Sequence, residues 1–347
     1  MATTAETLRA YQGPSIFSYG FRPFFLGGAI WAAAAMVLFI LLLHGIIALP
    51  AAFDAVDWHV HELLYGYLPA IVAGFLLTAV PNWTGRLPVT GAPLAGLFAL
   101  WLAGRIAVAI SARIGATAAA AIDISFLFAL GAILAREIIA GQNKRNLKVL
   151  VLVALLGAGN LIFHIEAAFE GSADFGKRIG IAAALLLIAL IGGRIVPSFT
   201  RNWLAKSGSE NLPVPFGKFD LIAIVATAFA LLVWTTYPAR QITAALCMVA
   251  GVLHLIRMIR WKPHHTFAEP LVAILHIGYG FLPLGFLLMA AAIVRPDVVP
   301  QAAAVHAWTA GAIALMTLAV MTRASLGHSG RPLTASNGVM VIYLSAV

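Results

Sequence analysis

Apolar runs of about twenty residues recur along the whole chain, each long enough to cross the roughly 30 Å hydrocarbon core of a bilayer as a helix. They fall near 24–49, 58–80, 92–110, 117–139, 147–169, 178–196, 217–237, 241–259, 267–293 and 300–322. Lipid offers no partner for a backbone N–H or C=O, so runs of this kind must fold as helices packed on one another. Composition agrees. Of 347 residues, 62% are hydrophobic and 10% charged, against about 25% charged in a typical soluble domain. An ordinary soluble protein is excluded, and so is a disordered one. The expected fold class is all-α, a polytopic transmembrane helical bundle of ten complete spans plus an incomplete eleventh. We expect a single helical membrane domain over 1–347, with residues 1–22 as a cytoplasmic N-terminal segment. That segment is polar and lacks the apolar region and cleavage site of a signal peptide. The eleventh apolar run, Gly338 to Val347, has ten residues and is too short to span.

Lysine and arginine set the expected orientation. With the N-terminus inside, sixteen of the 22 basic residues fall on inner segments and five on outer ones, leaving Arg105 within a span. That asymmetry follows the positive-inside rule. The net charge of +9 is therefore a topology signal with anionic lipid as its ordinary partner. No nucleic-acid module, P-loop or GxGxxG fingerprint is present. The single cysteine, Cys247, excludes an intrachain disulfide, a cysteine metal cluster and covalent CxxCH haem attachment. No internal repeat is legible. The longest loop is expected at about Ser198 to Lys218, and Trp58, Trp83, Trp203 and Trp308 are expected in the aromatic belts.

Ionisable groups at membrane depth are costly, and each one is a functional candidate. Counted at about 1.5 Å per residue, His44, His164 and His306 lie in the outer third. His59 and His61 open the second span behind an expected N-cap at Asp57. Glu62, Asp123 and Glu166 share that layer, as proton-relay candidates or as partners of the histidines. A smaller inner layer holds His254 and His276 on neighbouring helices, able to offer imidazoles to one ligand. His264, His265 and His328 fall in inner loops. Residues i and i+2 of a helix point about 200° apart, so His59 and His61 cannot easily share one metal. Neutral imidazole suits haem iron and copper. The outer layer has nitrogen enough for a haem and a copper, and the inner pair for a second haem. Interhelical hydrogen bonding is the plainer reading of each histidine.

Several strings carry a resemblance. Phe21-Arg-Pro-Phe-Phe25, Trp58-His-Val-His-Glu-Leu-Leu-Tyr-Gly66, Ala73-Gly-Phe-Leu-Leu-Thr-Ala-Val-Pro-Asn-Trp-Thr-Gly-Arg86, Gly192-Gly-Arg-Ile-Val-Pro-Ser-Phe-Thr200, Val305-His-Ala-Trp-Thr-Ala-Gly311 and Met321-Thr-Arg-Ala-Ser-Leu-Gly-His-Ser-Gly-Arg331 resemble the NnrS family, in order, from about residue 15 to 333. The resemblance implies a bacterial inner-membrane protein of about twelve helices, with non-covalent haem, b-type, and copper, linked to denitrification and relief of nitric oxide stress. Against twelve helices, about two are expected to be missing here. His59, His61, Glu62, His306 and His328 lie inside the matching strings. His44, His164, His254 and His276 enter by depth alone.

The expected function is that of a haem–copper membrane protein acting on nitric oxide near the outer face, possible reduction included, with an electron donor the chain does not specify. The inner half has few carboxylates, Glu137, Asp220 and Glu269 all lying near span ends, so redox-driven proton pumping is not expected. Two alternatives stand beside it: a proton- or metal-coupled transporter, and a non-catalytic haem or copper sensor or carrier. Orientation is open to direct test. In a Cys247→Ala background, a cysteine at Ser209 should react with an impermeant maleimide only from the inner side and one at Asp297 only from the outer side. The reverse pattern would invert the topology.

Overall fold

The computed structural model describes residues 11–347; of the N-terminal segment 1–22, residues 1–10 lie outside the described residues. Among the described residues there is no strand. Ten helices among the described residues are long and apolar enough to cross a membrane. We number them α1 (Phe21–Leu43), α2 (Ala55–Thr84), α3 (Ala92–Ala109), α4 (Ala116–Ala140), α5 (Leu147–Phe169), α6 (Asp174–Lys206), α7 (Lys218–Thr236), α8 (Gln241–Ile259), α9 (Pro270–Val294) and α10 (Gln301–His328). A ten-residue helix, α11 (Asn337–Ala346), takes up the last apolar run. The chain forms an all-α polytopic bundle. Its exposed side chains include Ile30 and Val37 on α1, Phe128 on α4, Val151 on α5 and Phe229 on α7. Water would penalise such surface, and lipid does not.

Contacts divide the chain into two compact units, Met1–Gly180 and Ile181–Val347. In the first, α1 packs on α2, α3 on α4 and α4 on α5. In the second, α9 is the central element, packed against α8 and α10, while α7 packs on α8.

Several expected boundaries shift. α1 ends at Leu43, short of residue 49, and His44 caps it from an exposed position. α2 begins earlier than expected because Asp54, not Asp57, is its N-cap: the Asp54 carboxylate accepts the Asp57 N–H at 2.7 Å. α6 runs on through Pro197 to Lys206, so the loop starts at Ser207 and not at Ser198. Trp58 and Trp308 are buried within the protein and not on its surface.

Three helices carry a π-turn, at Glu62–Tyr67, Ile188–Gly192 and Ala307–Ile313. The wider turn displaces carbonyls from their usual donors, and in lipid those carbonyls need others. In α2 the Trp101 indole N–H supplies Gly66 O at 2.9 Å. In α6 the deficit is larger, because Pro197 has no N–H to give Gly193 O four residues back. Arg257 of α8 fills it. Its guanidinium donates to Ala189 O at 2.8 Å, to Gly193 O at 3.4 Å and to the Tyr279 hydroxyl at 2.9 Å. Its charge is met by Asp220 at 2.8 Å. That Asp220 carboxylate also accepts the Gly217 N–H at the start of α7. Polar sequence inside α6 thus stays helical because a distant arginine completes it.

A lysine at this position would keep the charge but not the fork of donors. Arg257→Lys should therefore lower stability by about 1–3 kcal/mol, the cost of leaving buried carbonyls unmet. Thermal unfolding of the detergent-solubilised protein checks it; an unchanged midpoint would refute the assigned role.

Candidate metal centre

The first unit gathers six polar side chains from four helices into an apolar interior. His61 and Glu62 come from the start of the α2 π-turn, Arg105 from α3, Asp123 from α4, and Asn160 and His164 from one face of α5. The His61 and Glu62 side chains are fully buried, and Asp123 and Arg105 nearly so. Glu62 accepts Arg105 Nη1 through both oxygens at 2.7 Å. The other guanidinium nitrogen, Nη2, bonds Asp123 Oδ1. One cation therefore faces two carboxylates.

Two glycines make this approach possible. A Cβ on Gly66 would occupy the place of the Arg105 guanidinium, and one on Gly104 would sit 2.9 Å from Asp123 Oδ1. α3 can lie against the carboxylates only because both positions lack a side chain.

Asp123 Oδ2 is the focal atom. Asn160 Nδ2 donates to it at 2.8 Å. His164 Nε2 lies 3.1 Å away and His61 Nε2 3.2 Å away. His61 Nε2 is also 3.0 Å from Asn160 Oδ1, and its Nδ1 is 3.0 Å from Glu62 Oε1. Turning the Asn160 amide over would set its oxygen against the Asp123 carboxylate, so the amide is held as described. Both nitrogens of His61 consequently face oxygen acceptors. A neutral imidazole has one N–H and can serve one side only. The other side calls for a second proton or a cation.

A transition-metal ion fits this donor set. The nearest donor atoms of His61, Asp123 and His164 all lie within 4.8 Å of one another. Donors about 2.1 Å from a shared ion stand about 3.0–3.4 Å apart, and the two histidine-to-Asp123 distances fall in that range. Glu62 on Nδ1 of His61 stands where a carboxylate would orient that imidazole and fix its tautomer if Nε2 held an ion. Haem does not fit here, because the rings of Phe53, Phe163 and Tyr65 close around the imidazoles.

The expected outer layer is thus partly assembled. His61, Glu62, Asp123 and His164 come together. His59 points away and stacks on Phe39, centroids 4.0 Å apart and planes 19° from parallel. Glu166 caps α6, accepting the Phe175 and Gly176 N–H groups at 3.1 and 2.6 Å. His44 is exposed. In the second unit, His306 is exposed as well and bonds Ala302 O of its own helix at 2.8 Å.

The inner pair is differently used. Thr227 gives its hydroxyl proton to Ala223 O, so it accepts from His254 Nε2 at 2.7 Å. Arg257 donates to the Tyr279 hydroxyl, which passes its own proton to His254 Nδ1 at 2.8 Å. Both nitrogens of His254 are engaged, and it does not fit a haem ligand as placed. His276 Nε2 sits 2.8 Å from Thr200 Oγ1, whose proton goes to Val196 O; its Nδ1 is buried without a hydrogen-bond partner.

Arg105 and Asn160 are members that sequence reasoning passed over. Arg105, which the sequence places within a span, lies beside two carboxylates. Asn160 had a signal available: a lone amide four residues before His164, hence on the same helical face.

Fold and site define a class, a polytopic helical membrane protein with a buried histidine–carboxylate centre. The chain belongs to the NnrS family, whose model, described as NnrS protein, matches residues 15–347. No curated protein and no solved structure matches the chain.

Removing the cation should be costly. Arg105→Met leaves two carboxylates facing one another in an apolar interior, for a loss of about 3–5 kcal/mol. Adding Glu62→Gln should recover part of it. If the double variant is no more stable by thermal unfolding than the single, the charge account fails.

Proposed function

We propose that the chain is a copper-binding member of its family that acts in nitric oxide metabolism or relief of nitrosative stress. The supporting observation is His61, whose two nitrogens both meet oxygen acceptors. A cation at Nε2 resolves that mismatch. His61 Nε2, His164 Nε2 and Asp123 Oδ2 would hold the ion, two imidazoles and a carboxylate being a donor set copper accepts. Copper, when bound, supplies a redox-active centre at which nitric oxide can coordinate.

The chain's own residues do the rest. Glu62 holds the His61 ring in orientation. Arg105 bridges the two carboxylates and keeps Asp123 facing the imidazoles. Asn160 fixes Asp123 Oδ2 from the side. Glu62 and Asp123, bridged by Arg105 and His61, are the carboxylates placed to take up or deliver a proton, and Glu166 serves as the anchor of α6. The setting is the bacterial inner membrane, with the N-terminus cytoplasmic and the triad toward the outer face, in line with the distribution of lysine and arginine. An external electron donor is needed for turnover and not for binding, which leaves a non-catalytic sensor or carrier within the same reading.

A second reading has its own support. A proton at His61 Nε2 resolves the same mismatch as a metal, and buried carboxylate–histidine chains carry protons in coupled transporters. One measurement separates the two. Folded protein produced with copper should carry about one ion per chain. His61→Ala, Asp123→Asn and His164→Ala should each abolish it, whereas His44→Ala and His306→Ala should retain it. A wild-type protein with no copper would remove the metal reading and leave the proton site. With copper present, a nitric oxide-dependent change in its spectrum tests the proposed substrate.

A further inference from the structure

The imidazoles of the triad lie under a roof of aromatic rings. The Phe53 centroid is 5.1 Å from that of His61 and 5.3 Å from that of His164. Its edge meets Phe163 at 5.4 Å, and Phe163 lies 5.2 Å from His61 and 5.7 Å from Tyr65. Phe163 and Tyr65 are buried, whereas Phe53 is partly exposed. Of these three rings, Phe53 is thus the one that both touches the two histidines and reaches the surface.

Phe53 is on the connection between α1 and α2, outside any helix, yet its backbone is pinned on both sides. The Ala52 N–H donates to Ser111 Oγ at 2.7 Å, and Ser111 in turn donates to Val108 O at 2.8 Å. Pro50 O accepts the Ala112 N–H at 2.8 Å. On the other side Asp54 caps α2. A ring between two fixed neighbours opens by turning about its own side-chain torsions, with no movement of the backbone. Such a movement lets a small uncharged molecule by. An ion would have to shed its hydration against an apolar ring and find no partner there.

We propose that Phe53 is the gate of the triad, a specificity-determining residue that admits uncharged molecules of diatomic size and holds back bulkier or charged ones. The proposal rests on the triad as a ligand-binding centre, and its test is arranged to stand apart from metal content.

The first arm uses metal-free full-length protein and diethyl pyrocarbonate, with modification of each histidine read by mass spectrometry. Exposed His44 is the internal reference. In the wild type, His164 and His61 should be protected. In Phe53→Ala the modification of His164 relative to His44 should rise about tenfold, because a closing aromatic ring has been removed. Phe53→Trp should stay protected, and Phe53→Leu should fall between. Equal protection in Phe53→Ala and wild type, at unchanged thermal unfolding, overturns the gate. Should the alanine variant not fold, the leucine variant decides, and no rise there overturns it equally. The second arm uses copper-loaded protein and an anionic chelator. Copper should leave Phe53→Ala about tenfold faster than wild type, and equal rates would also overturn the proposal. Failure to load copper at all would count against the metal reading, while the modification arm still judges the gate.

Discussion

Two carboxylates and a guanidinium cannot be scattered through an apolar interior; each alone would be far too costly to bury. Arg105 solves this in the first unit by bridging Glu62 and Asp123, and the surrounding structure follows from that bridge. α3 must come close enough to deliver the guanidinium, hence glycine at 66 and 104. α2 must open into a π-turn at Glu62, and the carbonyl so displaced at Gly66 needs the Trp101 N–H. One positive charge against two negative ones leaves the cluster short of a cation. His61, with acceptors on both edges, is where that shortage is felt.

The second unit faces the same rule with the opposite result. Arg257 meets one carboxylate, Asp220, and directs its remaining donors to carbonyls of α6 and to Tyr279. Its charge is balanced and its donors are used. Tyr279, His254 and Thr227 then form a chain in which each proton has one destination. Similar residue types thus yield a network with one carboxylate on its guanidinium in one unit and with two in the other. The difference is the count of carboxylates per guanidinium.

Much of the fold was legible. Apolar runs of spanning length announce helices, and the observed helices coincide with all ten. Boundaries were less legible where polar residues continue a helix, as in α6 beyond Pro197, because the donor that completes it lies on α8. The site was legible in part. His61, Glu62, Asp123 and His164 stand out as ionisable groups at membrane depth. Depth, however, is one coordinate of three. It grouped His44, His59 and Glu166 with them, and the rotation of each helix about its axis sends those three elsewhere, to an exposed cap, a phenylalanine ring and a helix start.

The sequence by itself determined a polytopic helical membrane protein, since a backbone in lipid has no alternative to helices of spanning length. It also determined which few residues are too polar to be there without a reason. Only the tertiary structure decided which of them meet. Asp123, His61, His164 and Arg105 lie on four different helices, and their convergence depends on packing angles and helix rotations set by many small contacts. No local pattern in the chain encodes those.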